Sequence, residues 1–172
     1  LVARRDWIDV RDVIAAALAR VARRLGQRRA LRDFPAELSM VRADPVLLEQ
    51  VLVNILENAI TYSEDGALIE TAAFEDRGNV VISIEDEGRG IPTAELGRVC
   101  EKFRRLGEAI DRGGERCKGA GLGLAIAKGF VEAMGGRIAA ASPIRERPDG
   151  SKGGTRILIS LRKDIAGGEP KA

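Results

Sequence analysis

Hydrophobic and polar residues alternate along the chain with two periods, one typical of helices and the other of strands. The clearest helical pattern is ADPVLLEQVLVNILENAITYS, which runs from Asp44 to Ser63 after a leading alanine. Asp44 is placed as an N-cap and Pro45 as the first helical residue. The apolar residues at helical spacing predict one buried stripe, made of Leu48, Leu52, Ile55, Leu56 and Ala59. We therefore expect a core-facing helix around which the chain is organised.

A polar ridge follows the same helix beside the apolar stripe. Asn54, Asn58 and Tyr62 are spaced by four residues, so they drift only about 40° around the helix at each step. An asparagine amide needs hydrogen-bond partners, and two of them on one ridge lower stability unless something occupies them. Either neighbouring backbone groups or a ligand would satisfy these amides, and the helix alone favours neither interpretation.

A second amphipathic helix is predicted near the N-terminus, at Arg11–Leu25, after a short strand at Trp7–Val10. The residues expected to point inward are Val13, Ile14, Ala17, Leu18, Val21 and Leu25. Its outward arginines, Arg20, Arg23 and Arg24, form either a docking face or a solvated surface. Charged helix faces are more often solvated, so the second interpretation is favoured.

The remaining elements are predicted as strands and helices in alternation. A strand pair is expected at Ala30–Phe34 and Ser39–Ala43 around Pro35, and a hairpin at Leu68–Phe74 and Val80–Glu85. Helices are expected at Thr93–Phe103 and at Leu122–Met134, the latter ended by Gly135 and Gly136. Closing strands are expected at Arg137–Ala141 and Thr155–Leu161, with a flexible connection at Ser142–Gly154.

Composition narrows the class of protein. The chain has 172 residues, of which 45% are hydrophobic, so one domain with a sizeable core is expected. Its 28 basic and 26 acidic residues give a net charge of +2, which argues neither for a nucleic-acid binder nor for a membrane-surface protein and favours an evenly solvated exterior. Cys100 and Cys117 do not have metal-ligand spacing and no histidine accompanies them. Free thiols in a reducing cytoplasm are therefore expected.

Two glycine-rich segments carry candidate binding chemistry. Asp86 is placed where a strand ends in a turn that contains Gly88 and Gly90. Its carboxylate can accept a hydrogen bond from an exocyclic amine. The glycines have no side chain, so a flat base can approach the backbone there. The alternative is a plain Asp-Gly turn. Farther along, GAGLGL at 119–124 begins a helix, where backbone amides form an anion site. This segment is not a Walker loop, because no Gly-Lys-Ser/Thr follows, and it does not fit a Rossmann fingerprint.

Four segments in this order resemble the motifs of one known family. They are the helix with Asn54 and Asn58, DEGRGI at 86–91, EKFRR at 101–105 and GAGLGL at 119–124. Together they are similar to the N box, first glycine box, F box and second glycine box of the histidine-kinase ATP-binding domain. That domain belongs to the GHKL superfamily with gyrase, a heat-shock chaperone and the MutL ATPases. VRADPVLLEQVLVNILENA and GLGLAIAKGFVEAMGGRI most resemble the osmosensitive potassium-uptake sensor kinases.

The resemblance implies a fold and a domain organisation. The implied fold is α+β, a two-layer α/β sandwich with a mixed, mostly antiparallel sheet and helices on one face, the Bergerat-type ATP-binding fold. The domain would cover residues 6–163, after an upstream linker or helix end at 1–5. Residues 104–118, which are irregular and glycine-containing, would form the ATP lid, with a solvent loop as the alternative. Residues 164–172 would be a disordered tail.

The resemblance also implies roles for individual residues. Asn58 would bind Mg²⁺, Asn54 would flank the phosphates, and Tyr62 would pack beside the base or sugar. Asp86 would read the adenine amino group, with Gly88, Gly90, Ile91 and Thr155 near the base. Phe103 would pack the base of the lid, and Arg105 or Lys102 would reach the γ-phosphate. The phosphate-binding turn would comprise Gly119, Gly121, Leu122, Gly123 and Leu124. Which lid cation makes the contact stays open among Lys102, Arg104, Arg105, Arg112, Arg116 and Lys118.

Two positions bear on the reaction. Hydrolases of the wider fold carry a glutamate one turn before the metal-binding asparagine, and this chain has Asn54 there. An amide is a poor general base, which favours phosphoryl transfer to a protein over hydrolysis. Related kinases often have a cation three residues after that asparagine, where this chain has Thr61. If no other cation replaces it, nucleotide binding would be weaker by about 1–3 kcal/mol. The role of Glu57 stays open.

The function implied is that of a protein-histidine kinase catalytic domain using ATP and Mg²⁺. The chain has no histidine, so the phospho-acceptor is expected on an upstream dimerisation domain, and the chain is expected to be a fragment. A response regulator would then receive the phosphate. The potassium-sensor resemblance implies a homodimeric parent anchored in the inner membrane, with this domain in the cytoplasm. The alternatives are a nucleotide-sensing module without phosphotransfer and a serine kinase of the anti-sigma type.

Overall fold

The computed structural model describes residues 3–90 and 120–163. Within these residues there are three helices, α1 (Val10–Leu25), α2 (Pro45–Tyr62) and α3 (Ala120–Ala133). The strands of the N-terminal part are β1 (Asp6–Ile8), β2 (Arg29–Asp33), β3 (Val41–Ala43), β4 (Leu68–Asp76) and β5 (Asn79–Asp86). Those of the C-terminal part are β6 (Arg137–Ala141), β7 (Arg145–Glu146), β8 (Lys152–Gly153) and β9 (Thr155–Arg162).

The main sheet has five strands in the order β2-β4-β5-β9-β6. The β2–β4 pair is parallel and the other three pairs are antiparallel. All three helices contact the sheet, and Leu52 and Leu56 of α2 join Ile69, Ile82 and Ile159 of the strands in one buried core. The predicted class, an α+β two-layer sandwich with a mixed, mostly antiparallel sheet, is confirmed.

Helix α2 forms as its sequence predicts. The Oδ1 atom of Asp44 accepts hydrogen bonds from the N–H groups of Val46 and Leu47, at 3.0 and 3.2 Å. Pro45 occupies the first turn, where no intrahelical donor is needed. The predicted apolar stripe is at most 4% exposed at each of its positions, which are Leu48, Leu52, Ile55, Leu56 and Ala59. The cap and the stripe therefore fix the helix in the core and leave its polar ridge on one side.

The predicted pairing of the strands on either side of Pro35 is wrong. Strand β2 pairs in parallel with β4, and β3 pairs antiparallel with β1, with Val41 opposite Ile8. A hairpin needs a short turn with glycine or asparagine, and residues 34–40 contain neither, so nothing local holds the two strands together. The first strand also ends earlier than predicted, because Asp9 caps α1 by accepting a hydrogen bond from Arg11 N at 2.9 Å.

The connection predicted as flexible, residues 142–154, contains an ordered hairpin. Strands β7 and β8 pair antiparallel, with Arg145 opposite Gly153 and Glu146 opposite Lys152. The N–H of Ile144 donates to the carbonyl oxygen of Gly153 at 3.0 Å. The glycine and proline content suggested flexibility, but three of the four paired residues, Arg145, Glu146 and Lys152, are charged and can form a short ladder at the surface.

The end of α3 is as predicted. Gly135 adopts a φ of +77°, and the N–H of Gly136 donates to Val131 O at 2.9 Å, which closes the last turn. Among the described residues, no helix is both long and apolar enough to cross a membrane. The predicted helix at Thr93–Phe103, the lid at 104–118 and the tail at 164–172 lie outside the described residues.

Candidate functional site

Asp86 is a nearly buried carboxylate at the end of the central strand β5. Its side chain is only 8% exposed, and Oδ1 accepts a hydrogen bond from the N–H of Gly88 at 2.8 Å. Burial raises the pKa of Asp86 to about 6, against the opposing effects of the Gly88 N–H, the Arg145 charge and the Thr155 N–H. The protein's own hydrogen bonds and charges therefore do not offset the cost of burying the ionised carboxylate, which can accept a further hydrogen bond.

Gly88 allows the turn after Asp86 to pack closely against the C-terminal end of α2. A Cβ atom at this position would lie 2.4 Å from the carbonyl oxygen of Tyr62 and 2.7 Å from Asp86 Oδ1, so no side chain fits. The next residue, Arg89, donates its N–H to the same Tyr62 oxygen at 3.4 Å and holds its guanidinium 5.0 Å from the centre of the Tyr62 ring. The fold thus joins Asp86, Gly88 and Tyr62, which are distant in sequence.

Thr155 lies directly opposite Asp86 in the β5–β9 ladder. It is 8% exposed, and its Oγ1 donates to Ser142 Oγ at 3.4 Å. Gly90 closes the other side of the turn with a φ of +78°, and a Cβ atom there would lie 2.8 Å from Ser142 Oγ. The predicted base-side residues Gly90 and Thr155 are therefore neighbours of the Asp86 turn.

The asparagines of the ridge form the second part of the site, with Asn58 one helical turn and Asn54 two turns before Tyr62. Asn58 Nδ2 is buried, and among the described residues it has no hydrogen-bond partner. Asn54 Oδ1 accepts a hydrogen bond from Gln50 Nε2 at 3.1 Å. Of the two interpretations offered for the ridge, satisfaction by neighbouring groups therefore does not describe Asn58 Nδ2 within residues 3–90 and 120–163. An unpaired buried amide costs about 1–3 kcal/mol, so its presence points to a ligand.

Helix α3 crosses this ridge at a glycine. A Cβ atom on Gly123 would lie 3.6 Å from Asn58 Nδ2 and 3.9 Å from Asn54 Cβ, so α3 passes within contact distance of both asparagines. The following Leu124 is 6% exposed and packs into the core. The structure therefore places the glycine-rich segment against the asparagine ridge, as expected for residues that share one site.

Two further residues of α2, Glu57 and Thr61, have partners outside the ridge. The carboxylate of Glu57 pairs with Arg24 of α1 at 2.6 Å, and Thr61 is exposed with its Oγ1 donating to Glu57 O at 2.8 Å. Arg20 likewise pairs with Glu49 of α2 at 3.1 Å. Two of the arginines predicted to point outward from α1 thus make exposed ion pairs with α2.

Part of the predicted site lies beyond what the structure describes. The residues outside the described ranges are Ile91, Lys102, Phe103, Arg105 and Gly119. Gly121 and Leu122 lie in the first turn of α3, where the structure describes the backbone alone. Their predicted roles, and those of every residue assigned to ATP or metal, stay predictions.

Sequence reasoning missed Arg145 of the β7–β8 hairpin. Its Nη1 donates to Glu87 Oε1 at 2.9 Å and its Nη2 to Glu85 Oε2 at 3.3 Å, so its guanidinium lies behind the Asp86 turn. The available signal was Pro148-Asp149-Gly150, because a Pro-Asp-Gly sequence is typical of a tight turn between two strands.

Comparison with known proteins places this site in a family. Residues 43–165 match the family described as histidine kinase-, DNA gyrase B-, and HSP90-like ATPases. The chain is 36% identical over 162 residues to the sensor protein KdpD of Clostridium acetobutylicum, covering 94% of this chain and 17% of that protein. It is 35% identical over 139 residues to the alginate biosynthesis sensor protein KinB of Pseudomonas aeruginosa, covering 78% of this chain and 22% of that protein.

Solved structures give the same result. The mycobacterial sensor histidine kinase MprB superposes with a TM-score of 0.72 at 26% identity, covering 93% of this chain and 99% of that chain. Full-length ShkA, solved in complex with AMPPNP, superposes with a TM-score of 0.69 at 22% identity, covering 94% of this chain and 32% of that one, and shows the shared fold. The chain belongs to the histidine kinase-, gyrase- and HSP90-like ATPase family. Within it, the chain is a histidine-kinase-type ATPase domain, similar to the catalytic domains of sensor kinases.

Proposed function

We propose that this domain binds Mg·ATP and transfers the γ-phosphate to a histidine of a separate dimerisation domain. The observation that carries the proposal is the pairing of two incompletely satisfied polar groups: the buried Asp86 carboxylate in its glycine turn and the unpaired Asn58 amide facing Gly123. One suits the base and the other suits the metal and phosphates of a single nucleotide. The chain has no histidine, so the acceptor imidazole must come from another segment or chain.

Asp86 would recognise the adenine base. Its ionised carboxylate would accept a hydrogen bond from the exocyclic amine, which supplies the donor that the protein does not. Gly88 and Gly90 keep side chains away from the turn, so that the base can approach the backbone. Thr155, opposite Asp86, would line the same end of the pocket, and Tyr62 would pack against the base or sugar.

Asn58 would hold Mg²⁺. A neutral amide oxygen suits this hard cation, which keeps several waters and binds phosphate oxygens, so a single protein ligand fits. The unpaired Nδ2 beside Gly123 is a donor and would suit a phosphate oxygen, while Oδ1 of the same amide would bind the metal. When bound, Mg²⁺ would neutralise charge on the triphosphate. Asn54 would flank the phosphates, and the turn at Gly119, Gly121, Leu122, Gly123 and Leu124 would supply backbone amides to them.

The site favours transfer to a protein over hydrolysis. Asn54 replaces the acidic residue that would activate water, and its Oδ1 already accepts a hydrogen bond from Gln50. Glu57 pairs with Arg24 of α1 at the surface, which favours a surface contact over a part in proton transfer. Lys102 or Arg105 would contact the γ-phosphate, and Phe103 with Ile91 would close the pocket beneath the 104–118 lid.

For the parent protein we propose a potassium-responsive sensor kinase. The similarity to KdpD over 94% of this chain supports this choice, while the chain spans about a sixth of that protein's length. Its partners would be a dimerisation and phosphotransfer domain and a response regulator, in a homodimer anchored in the inner membrane with this domain in the cytoplasm. A net charge of +2 supports the absence of a nucleic-acid partner.

Phosphoryl transfer to an added dimerisation domain tests the proposal. The chain is mixed with the dimerisation domain of a KdpD relative and radiolabelled ATP, with Asn58→Ala and an acceptor lacking its histidine as controls. We expect acid-labile label on the acceptor that both controls abolish. Acid-stable label would indicate a serine kinase, and ATP binding without any transfer would indicate a nucleotide-sensing module.

A further inference from the structure

The β7–β8 hairpin packs its backbone against the turn at Asp86–Gly90, which we call the base turn. The N–H of Gly154 donates to Gly88 O at 2.7 Å. A Cβ atom on Gly153 would lie 2.6 Å from the same oxygen, so the approach requires glycine on the hairpin side as well. The two backbones are therefore in direct contact, and any shift of the hairpin would displace the base turn.

Arg145 links the hairpin to the base turn through ion pairs. It bridges two carboxylates of β5 and the turn, with Nη1 2.9 Å from Glu87 Oε1 and Nη2 3.3 Å from Glu85 Oε2. Glu87 in turn accepts a hydrogen bond from Leu68 N at 3.1 Å. The Arg145 Nε atom is buried and has no hydrogen-bond partner among the described residues. Among the described residues, Arg145 thus leaves its Nε–H without an acceptor, while its positive charge lies next to the base turn.

We propose that the β7–β8 hairpin is a brace for the base turn and that Arg145 is its positioning residue, which sets how well Asp86 accepts the adenine amine. This inference rests on the proposed nucleotide site. The brace fixes the turn through Gly153 and Gly154, and Arg145 adds both an ion-pair bridge and a positive charge beside the Asp86 carboxylate. The residue acts through Asp86 and does not itself contact the nucleotide.

The charged groups around Asp86 explain why this cation matters. Burial raises the pKa of Asp86 to about 6, and Arg145 is the charged side chain that opposes this rise. The other groups that oppose it are the backbone N–H groups of Gly88 and Thr155. The nearby Glu85 is paired with both Arg145 and Arg156, and Glu87 is paired with Arg145. Removing Arg145 would leave the negative charges of Glu85 and Glu87 less neutralised, and their repulsion would raise the pKa of Asp86 further.

The test is ATP affinity as a function of pH in Arg145→Gln, Arg145→Lys and the wild type. We expect Arg145→Gln to weaken ATP binding about tenfold at neutral pH. The pH below which protonation of Asp86 abolishes ATP binding should be higher in this variant than in the wild type. Arg145→Lys should restore the pH profile, because it keeps the charge, and part of the affinity. The control is Arg162→Gln, an exposed arginine of β9 opposite Asn79, far along the strand from the site. It should leave both quantities unchanged.

A second variant tests the brace without altering charge. Gly153→Ala adds a methyl group at the contact with Gly88 O and should lower the preference for ATP over GTP, since guanine has no amine at the corresponding carbon. Unchanged affinity, pH profile and base preference in both Arg145→Gln and Gly153→Ala would overturn the brace while leaving the nucleotide site intact. Failure of the wild type to bind ATP would instead remove the proposed function, and this inference with it.

Discussion

Two aspartates at different places in the fold are equally buried, yet their pKa values shift in opposite directions. Asp44 at the start of α2 is 7% exposed and Asp86 at the end of β5 is 8% exposed. Burial raises the pKa of Asp44, but hydrogen bonds from the N–H groups of Arg4, Leu47 and Val46 outweigh it and the net pKa is lowered. For Asp86 burial dominates and the pKa rises to about 6.

The difference comes from the donors that each element offers. The first turn of a helix has N–H groups without intrahelical partners, and Asp44 accepts from two of them and from Arg4 N at 2.9 Å. At the end of strand β5 most backbone N–H groups already donate to neighbouring strands, so the donor to the Asp86 side chain is the N–H of Gly88 in the following turn. A carboxylate whose donors are complete stabilises the fold, whereas one left short of donors is available to a ligand.

The largest effect is expected at Asp44. Replacing it with alanine removes the cap of α2 and leaves three buried or half-buried N–H groups without an acceptor, so the free energy of unfolding should fall by about 2–3 kcal/mol. Urea denaturation measures this change, and Asp44→Asn, which keeps the cap, is the matched control. If ATP affinity fell while stability did not, Asp44 would belong to the site and the contrast with Asp86 would fail.

Asp86→Asn should have the opposite effect on the fold. It removes a carboxylate that is costly to ionise, so the ligand-free domain should gain about 2 kcal/mol or less of unfolding free energy at neutral pH. The same variant should lose ATP affinity, since the amide presents the amine with a weaker acceptor. A loss of stability comparable to that of Asp44→Ala would show that Asp86 is a structural residue.

The two aspartates should also differ in the pH at which they affect stability. Because the folded pKa of Asp86 lies above its ordinary value of 3.8, its contribution is greatest below that value and is lost as pH rises through about 6. The folded pKa of Asp44 is lowered, so its contribution is present above its ordinary range and is lost as pH falls below about 4. Denaturation of the wild type, Asp86→Asn and Asp44→Asn across this range should show the two trends with opposite signs, each absent from its own variant.

A smaller effect is expected at Thr61, which is exposed and three residues after Asn58. Thr61→Lys adds a cation on the open side of α2, so ATP affinity should rise by up to about 1 kcal/mol, or roughly fivefold, at low salt. Thr61→Gln, of similar length without charge, is the control. Equal affinities for the two variants would place Thr61 away from the phosphates.

The smallest effect is expected for Glu57, the exposed counterpart of the two buried aspartates. Its pair with Arg24 lies at the surface, with 40% and 53% of the side chains exposed, so Glu57→Gln should change the unfolding free energy by less than about 0.5 kcal/mol. Phosphoryl transfer should be unchanged as well. A large loss of transfer at constant stability would assign Glu57 a role in proton handling.

Local patterns predicted much of this molecule. The Asp44 cap, the apolar stripe of α2 and the Gly135 end of α3 each depend on residues within about three helical turns, so the local sequence contains the whole signal. The position of Asp86 at a strand end beside glycines was readable for the same reason.

What sequence reasoning missed depends on contacts between distant residues. The parallel β2–β4 pairing joins Arg29 to Leu68, and the Arg145–Glu87 contact spans 58 positions. Nor could the ridge alone show that Asn58 Nδ2 lacks a partner, because that depends on α3 crossing it at Gly123. These features follow from packing, for which no local pattern exists.

The most direct test of the account is calorimetric titration of the domain with ATP and a non-hydrolysable analogue, with and without Mg²⁺. The wild type should bind saturably, Asp86→Ala should lose binding, and Asn58→Ala should lose the dependence of binding on Mg²⁺. The absence of binding by the wild type up to millimolar nucleotide would contradict the assignment of Asp86 and Asn58 to one nucleotide site.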